Sequence, residues 1–235
     1  MSSWRTRAVK YIASENAPNV LTRNVLQRIA DLYVENISYR LLTHWISEQV
    51  EVGNIVPVTN GLYLNKLKNP PANLSEAATH INPQAIVSLH YVLGEHGVLN
   101  NYTDIVTAVI PLEKERNSVP KLGVVNTKAG VFHFHGIAKN VCLAGATTDR
   151  LTSKEYPYAT PEKAFLDLLY LGNHRKSSLS VPSQTDIDID ELNFKRLYRL
   201  AKRMKIEDQI EDWLEKYHEN DNQDRFDPYS SVLGF

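Results

Sequence analysis

Arg40 and Thr43 stand at the start of a helical stretch and are the residues of this chain whose types best suit reading a base edge. An arginine fork matches O6 and N7 of guanine, and a threonine meets a thymine methyl or a phosphate. Ser38, Tyr39, His44 and Ser47 share that polar flank, while Leu41, Leu42, Trp45 and the Gln49–Val50 positions recur at helical spacing on the other side. Upstream, Thr22-Arg23-Asn24 opens a second helical stretch, whose first amides suit a backbone phosphate. Asn60, in an Asn-Gly turn, and Lys66 beyond it are placed to touch flanking backbone. Glu48 and Glu51, late in the Ser38 to Val52 segment, repel phosphate and confine contact to its first half.

Other residues suggest chemistry and fall short of it. Glu162, Lys163 and Asp167 evoke a nuclease carboxylate cluster, but a metal-dependent nuclease needs a strand-borne acid followed by an acid-x-lysine pair, and that spacing is missing. Lys163 and Asp167, four apart on a helix, read instead as an exposed ion pair worth a few tenths of a kcal/mol. His133-Phe134-His135 points two imidazoles to one face of a strand, with Cys142 the nearest further ligand, and reads as a pair of ordinary histidines. No Walker loop, Gly-x-Ser-x-Gly elbow or His-Glu-x-x-His occurs. The expectation is a chain with no catalytic residues, no metal site and no cofactor.

The elements that must hold these side chains follow from caps and periodicity. Helices are predicted over Trp4 to Ser14, from Thr22 with Val25, Leu26 and Ile29 inward, and from Ser38 to about Val52, where Gly53 ends the third. Asn54 to Val58 and Leu62 to Leu64 flank Thr59-Asn60-Gly61 as a hairpin. Three helices followed by a small hairpin is the order of a winged helix-turn-helix. The polar stretch Lys66 to Pro71 reads as a linker, dividing a first domain, 1–68, from a second, 69–235. In the second, Asn82 and Pro83 open a helix with Ile86, Leu89 and Leu93 on one face. Asp104 to Pro111 is a strand, Leu122 to Val125 and Val131 to Phe134 form a hairpin, and Thr160-Pro161 starts a helix that Gly172 ends. Terminal helices are expected at Leu192 to Met204 and Ile206 to Tyr217, within 186–217, and a fraying polar tail over 218–235. The fold class is α+β: a winged helix-turn-helix followed by an α+β domain with a helical end.

Composition sets outer bounds. The chain has 235 residues, 43% of them apolar, enough for real cores. The longest apolar runs fall far short of the roughly 20 residues that cross a bilayer, and the amino-terminal residues lack the apolar region of a secretory signal, so no membrane partner and a cytoplasmic location are expected. One cysteine, Cys142, excludes an internal disulfide. The net charge of −1 conceals an asymmetry. Residues 1–68 carry eight Lys/Arg against five acids, 69–175 balance at nine each, and the remainder has nine against thirteen. A mildly basic front on an acidic rear suits a polyanion at the front only.

Three stretches in series, Val52 to Leu64, Ile86 to Val98 and Tyr158 to Tyr170, resemble the AbiEi-type antitoxins and span most of residues 20–172. The resemblance implies a division of labour. An amino-terminal winged helix represses its own operon on double-stranded operator DNA, and the carboxy-terminal domain counteracts a nucleotidyltransferase toxin in phage-defence loci. That toxin is implied as an operonic partner, without direct contact being implied. Residues 186–235 depart from the shorter relatives, and no family role carries onto them. A homodimer reading an inverted repeat stays open. So does a different class, a winged helix that docks a protein rather than DNA.

Overall fold

The computed structural model describes residues 3–101, 103–113, 122–144, 155–175 and 177–225. Residues 226–235 of the expected tail lie outside them. The fold is mixed α+β. Its elements are α1 (Trp4–Ile12), β1 (Val20–Thr22), α2 (Arg23–Asp31), α3 (Tyr39–Glu51), β2 (Ile55–Thr59), β3 (Leu62–Asn65), α4 (Ala78–Ile81), β4 (Ile86–Val87) and α5 (His90–Glu95). There follow β5 (Val106–Leu112), β6 (Gly123–Asn126), β7 (Val131–Ala138), α6 (Lys139–Cys142), α7 (Pro161–Gly172), α8 (Phe194–Met204) and α9 (Glu207–Arg225). One sheet runs β1-β3-β2 and a second β4-β5-β7-β6. No helix among the described residues is long and apolar enough to cross a membrane.

The chain divides into two compact units. The first comprises 1–85, 104–106 and 121–134, and the second 86–103, 107–120 and 135–235. This differs from a division after residue 68, because residues 66–77 bind back onto the first helices instead of leaving them. Lys68 Nζ donates to the carbonyls of Glu15 (3.1 Å) and Ala17 (2.7 Å), and Asn19 Nδ2 donates to Glu76 Oε2 (2.6 Å).

In the first unit the caps act where the side chains foretell them: Thr22 Oγ1 accepts from the Val25 amide and Ser38 Oγ from that of Leu41. A core of Ala8, Ile12, Leu21, Leu26, Leu42, Trp45, Ile46 and Ile55 joins α1, α2, α3 and β2. Trp45 is fully buried, its ring 5.5 Å from that of Trp4. Asn65, also fully buried, donates to the carbonyls of Ile12 (2.8 Å) and Pro18 (3.1 Å) and accepts from the Leu67 amide, closing the sheet onto the end of α1. β1 is an element that the sequence pattern did not disclose: Val20 to Thr22 pair antiparallel with Leu64 to Leu62.

The second unit corrects three expectations. The helix foreseen from Asn82 is not formed: α4 ends at Asn82, and Ile86-Val87 become a strand paired with Val109 and Ala108 before α5 starts at His90. Sheet pairing outweighs the helical periodicity of Ile86, Leu89 and Leu93. Leu89 itself has φ +62 and ψ −143, a conformation costing a non-glycine residue about 1–3 kcal/mol. Secondly, Lys163 and Asp167 are buried rather than exposed. Asp167 pairs with Lys163 Nζ and accepts from Ser88 Oγ (2.8 Å), while Thr107 Oγ1 donates to the Ser88 carbonyl (2.6 Å) and accepts from the Tyr91 amide (3.1 Å). Burial pushes the Asp167 carboxyl above the usual carboxylate range, and the ammonium and hydrogen bonds pull against it. Thirdly, the helix expected to fray after Tyr217 continues through Arg225. Gly172 is the last residue of α7, as expected, and it is closely packed: a Cβ there would lie 2.5 Å from the Val181 amide nitrogen.

Three outcomes follow. The Trp45 indole N–H has no hydrogen-bond partner among the described residues, so Trp45→Phe loses part of the buried ring but no hydrogen bond and should cost clearly less than Trp45→Ala, which should cost about 3–5 kcal/mol, both read as shifts in urea midpoint. Asp167→Ala leaves the Lys163 ammonium buried without its counter-charge and should cost about 3–5 kcal/mol, whereas Lys163→Met combined with Asp167→Leu should cost far less in the same assay. Burial pushes the Cys142 thiol up to about 12, so a thiol reagent at pH 8 should label it only after denaturation.

Candidate nucleic-acid interface

The polar residues of the first unit gather where two helix starts meet the hairpin tip. The Arg23 amide donates to the Gly61 carbonyl (2.7 Å), tying the beginning of α2 to the β2–β3 turn, where Gly61 takes φ +74, a conformation that glycine adopts without strain. The Arg23 side chain crosses to α3. Its guanidinium lies 4.0 Å from the Tyr39 ring centroid, and Nη2 donates to Thr43 Oγ1 (2.7 Å), which in turn donates to the Tyr39 carbonyl (2.7 Å). Stacking plus a directed hydrogen bond holds this cation in one place.

Thr22, Arg23, Asn24, Tyr39 and Asn60 therefore line one open groove of about 540 Å³, completed by Gly61 and Tyr63. Asn24 and Asn60 are exposed at its rim, and Tyr39 is 73% exposed. Arg40 is exposed on α3, and no ion pair among the described residues engages it. A second groove, about 670 Å³, lies along α3 and the hairpin, with Ser47, Glu51, Asn60, Asn126, Thr127 and Lys128 in its wall. Lys128 is a cation that sequence reasoning missed. It sits in the β6–β7 turn, far along the chain, and no pattern within 1–68 announces it.

Not every expected contact is available. Thr43 Oγ1 is committed, accepting from Arg23 and donating to the Tyr39 carbonyl, while Ser38 Oγ accepts from the Leu41 amide and keeps its O–H to donate. Two of the first three amides of α2 are used, by Gly61 and by Thr22, which weakens the phosphate site expected there. Lys66 turns back and donates to the Ala72 carbonyl (2.5 Å). In the other direction, Glu48 is less of an obstacle than its position suggests. Arg5 Nη1 lies 2.8 and 2.9 Å from its two oxygens, and His44 Nδ1 lies 3.0 Å from Oε1.

Glu162, Lys163 and Asp167 are all buried, and Glu162 accepts from Arg196 Nη1 (3.2 Å to each oxygen) and from the Asn193 amide (3.1 Å). His135 is buried, and burial lowers the His133 pKa. Among the described residues no group of three or more His, Cys, Asp and Glu is placed to hold a metal ion.

No family model and no curated protein matches the sequence. Among solved structures, the crystal structure of the Rv2827c protein from Mycobacterium tuberculosis is similar, with a TM-score of 0.50 and 16% identity over 88% of this chain and 76% of that one. At that identity the likeness is one of fold.

Proposed function

We propose that residues 1–68 form a winged helix-turn-helix that binds double-stranded operator DNA, with α3 as its recognition helix and the β2–β3 hairpin as its wing. The observation that carries this reading is the convergence of the α2 start, the α3 start and the hairpin tip on one polar groove, with Arg23 stacked and Arg40 exposed beside it. A helix entering a major groove about 12 Å wide needs its inner side pinned and its first residues polar. The burial of Leu42, Trp45 and Ile46 and the exposure of Tyr39, Arg40, His44 and Ser47 meet both needs. Arg40 supplies the base-reading fork, Arg23 and Asn24 face a phosphate, and Asn60 with Lys128 lies along the flanking backbone.

In keeping with the resemblance to AbiEi-type antitoxins, we further propose that the chain is a cytoplasmic autorepressor whose second unit counteracts a nucleotidyltransferase toxin without catalysis of its own. The spending of Glu162, Lys163 and Asp167 on buried pairs supports a non-enzymatic role. Co-expression tests that half: rescue of growth from a nucleotidyltransferase encoded beside it should need the second unit and survive loss of DNA binding.

The DNA half is read by titrating salt against binding of a promoter fragment. Affinity should fall steeply as salt rises, because bound phosphates release counterions. A response absent at all salt concentrations would favour a protein-docking module. Arg40→Ala should cost about 1–3 kcal/mol on the operator and much less on random duplex. Equal losses on both would move Arg40 from base edge to phosphate.

A further inference from the structure

On the outward side of α3 the His44 side chain is 67% exposed, and its Nδ1 lies 3.0 Å from Glu48 Oε1. Glu48 is itself clamped. Arg5, brought in by α1, donates from Nη1 to both carboxylate oxygens, at 2.8 and 2.9 Å. Ala8 and Ile12 bury the inner side of α1, so the core that seats α3 also delivers this guanidinium. A guanidinium carries its charge at every working pH, and here it fixes where the carboxylate stands. A bare Nδ1 at 3.0 Å from the carboxylate oxygen would set lone pair against lone pair, so in the neutral ring the proton belongs on Nδ1. Nε2, which no hydrogen bond or ion pair among the described residues engages, is then an acceptor.

With α3 as the recognition helix, on which this inference rests, we propose that His44 determines specificity by accepting, through Nε2, a hydrogen bond from an exocyclic amine in the major groove, adenine N6 or cytosine N4. Glu48 and Arg5 are its positioning residues: they act on the base only by fixing the imidazole tautomer. Guanine and thymine present acceptors at the same edge, O6 and N7 or O4, and these oppose a bare ring nitrogen. Arg40, four residues earlier, is a donor only and suits guanine, so successive turns of one helix select bases of opposite hydrogen-bonding character. About 6 Å of helix axis separates Arg40 from His44, against about 3.4 Å per base step, which places the amine within about two base pairs of the Arg40 contact. Because Arg5 offsets its charge, Glu48 can sit this close to the duplex without repelling the phosphates as a lone carboxylate does.

The test lets the full chain select from a pool of duplex DNA with a randomised core at pH 8, above the range in which imidazoles ordinarily take up a proton, and sequences what is bound. The wild type should favour adenine or cytosine over guanine or thymine by about five- to tenfold, the low end of what a mismatched base pair costs, at one position within about two base pairs of the preference lost in R40A. H44A should erase that one preference and keep the rest of the selected sequence. E48Q should shift it towards guanine or thymine, since a neutral amide can donate to Nδ1 and leave the proton on Nε2. Replacing the selected base by an analogue without the amine should weaken the wild type by the same factor and leave H44A unaffected. In proton–nitrogen NMR spectra of the free full chain, with the His44 signals assigned by their loss in H44A, Nδ1 should be protonated and Nε2 bare. A proton on Nε2 at pH 8 overturns the proposal, as does a selected sequence that R40A alters and H44A leaves unchanged. A pool from which the wild type enriches nothing overturns α3 as a recognition helix, and this inference with it.

Discussion

What the first unit presents to its surroundings is decided by the rotation of α3 about its own axis, and that rotation is held by the burial of Trp45. The indole has no exposed surface and lies among Trp4, Leu26, Leu42, Ile46 and Ile55. An aromatic side chain of this size buries roughly 150–250 Å², worth about 4–6 kcal/mol at 25 cal/mol per Å². A roll of the helix by one residue would expose that ring and carry Arg40 or His44 towards the core, so hydrophobic burial and charge desolvation oppose the same movement. The indole nitrogen adds nothing to this anchoring, since it lacks a partner among the described residues. Shape and apolar area, not polar fixation, set the outward side. Polar fixation enters only at the rim, where Arg23 bridges from α2 to Tyr39 and Thr43 and ties the two helix starts together.

Elements with a local cause were legible in the sequence. Thr22, Ser38 and Thr160 cap their helices as their types require, and the Asn60-Gly61 turn joins its two strands. Elements with a distant cause were not. β1 is three residues long and exists because β3 passes beside it. Ile86 and Val87 carry helical spacing yet pair with β5, because the run Val106 to Val109 offers them a sheet edge. The Lys163–Asp167 pair has the spacing of a surface pair, and only the packing of α5, α8 and α9 around α7 makes it internal. The same limit applies at the candidate interface. Arg23, Asn24, Tyr39 and Asn60 were found by type, but the stacking of Arg23 on Tyr39 and the approach of Lys128 are tertiary events.

The polar network of the second unit ties a buried ion pair to a sharp turn of the backbone. Asp167 reaches Ser88, Ser88 passes through its carbonyl to Thr107, and Thr107 receives the Tyr91 amide. These bonds surround Leu89, whose backbone is held in a conformation suited to glycine. A leucine tolerates that only where its neighbours are over-determined, and here its side chain is fully buried while the residues on both sides are hydrogen-bonded. The ion pair's desolvation cost is thus set against the sharp strand-to-helix turn that it keeps. Ser88, Lys163 and Asp167 show almost no surface.

Electrostatics in this chain works by placement, since a net charge of −1 gives no general attraction to a polyanion. On the first unit the excess is small, and several of its cations are already engaged: Arg5 neutralises Glu48, Lys66 and Lys68 hold backbone carbonyls, and Arg23 lies on Tyr39. In the second unit α8 buries its apolar side and leaves Lys195 and Lys202 exposed, while acids flank it in the chain on both sides, Asp188, Asp190 and Glu191 before it and Glu207, Asp208 and Glu211 after it. Exposed charges more than about 8–10 Å apart are largely screened from one another at cellular salt, so each surface feels chiefly its own neighbours.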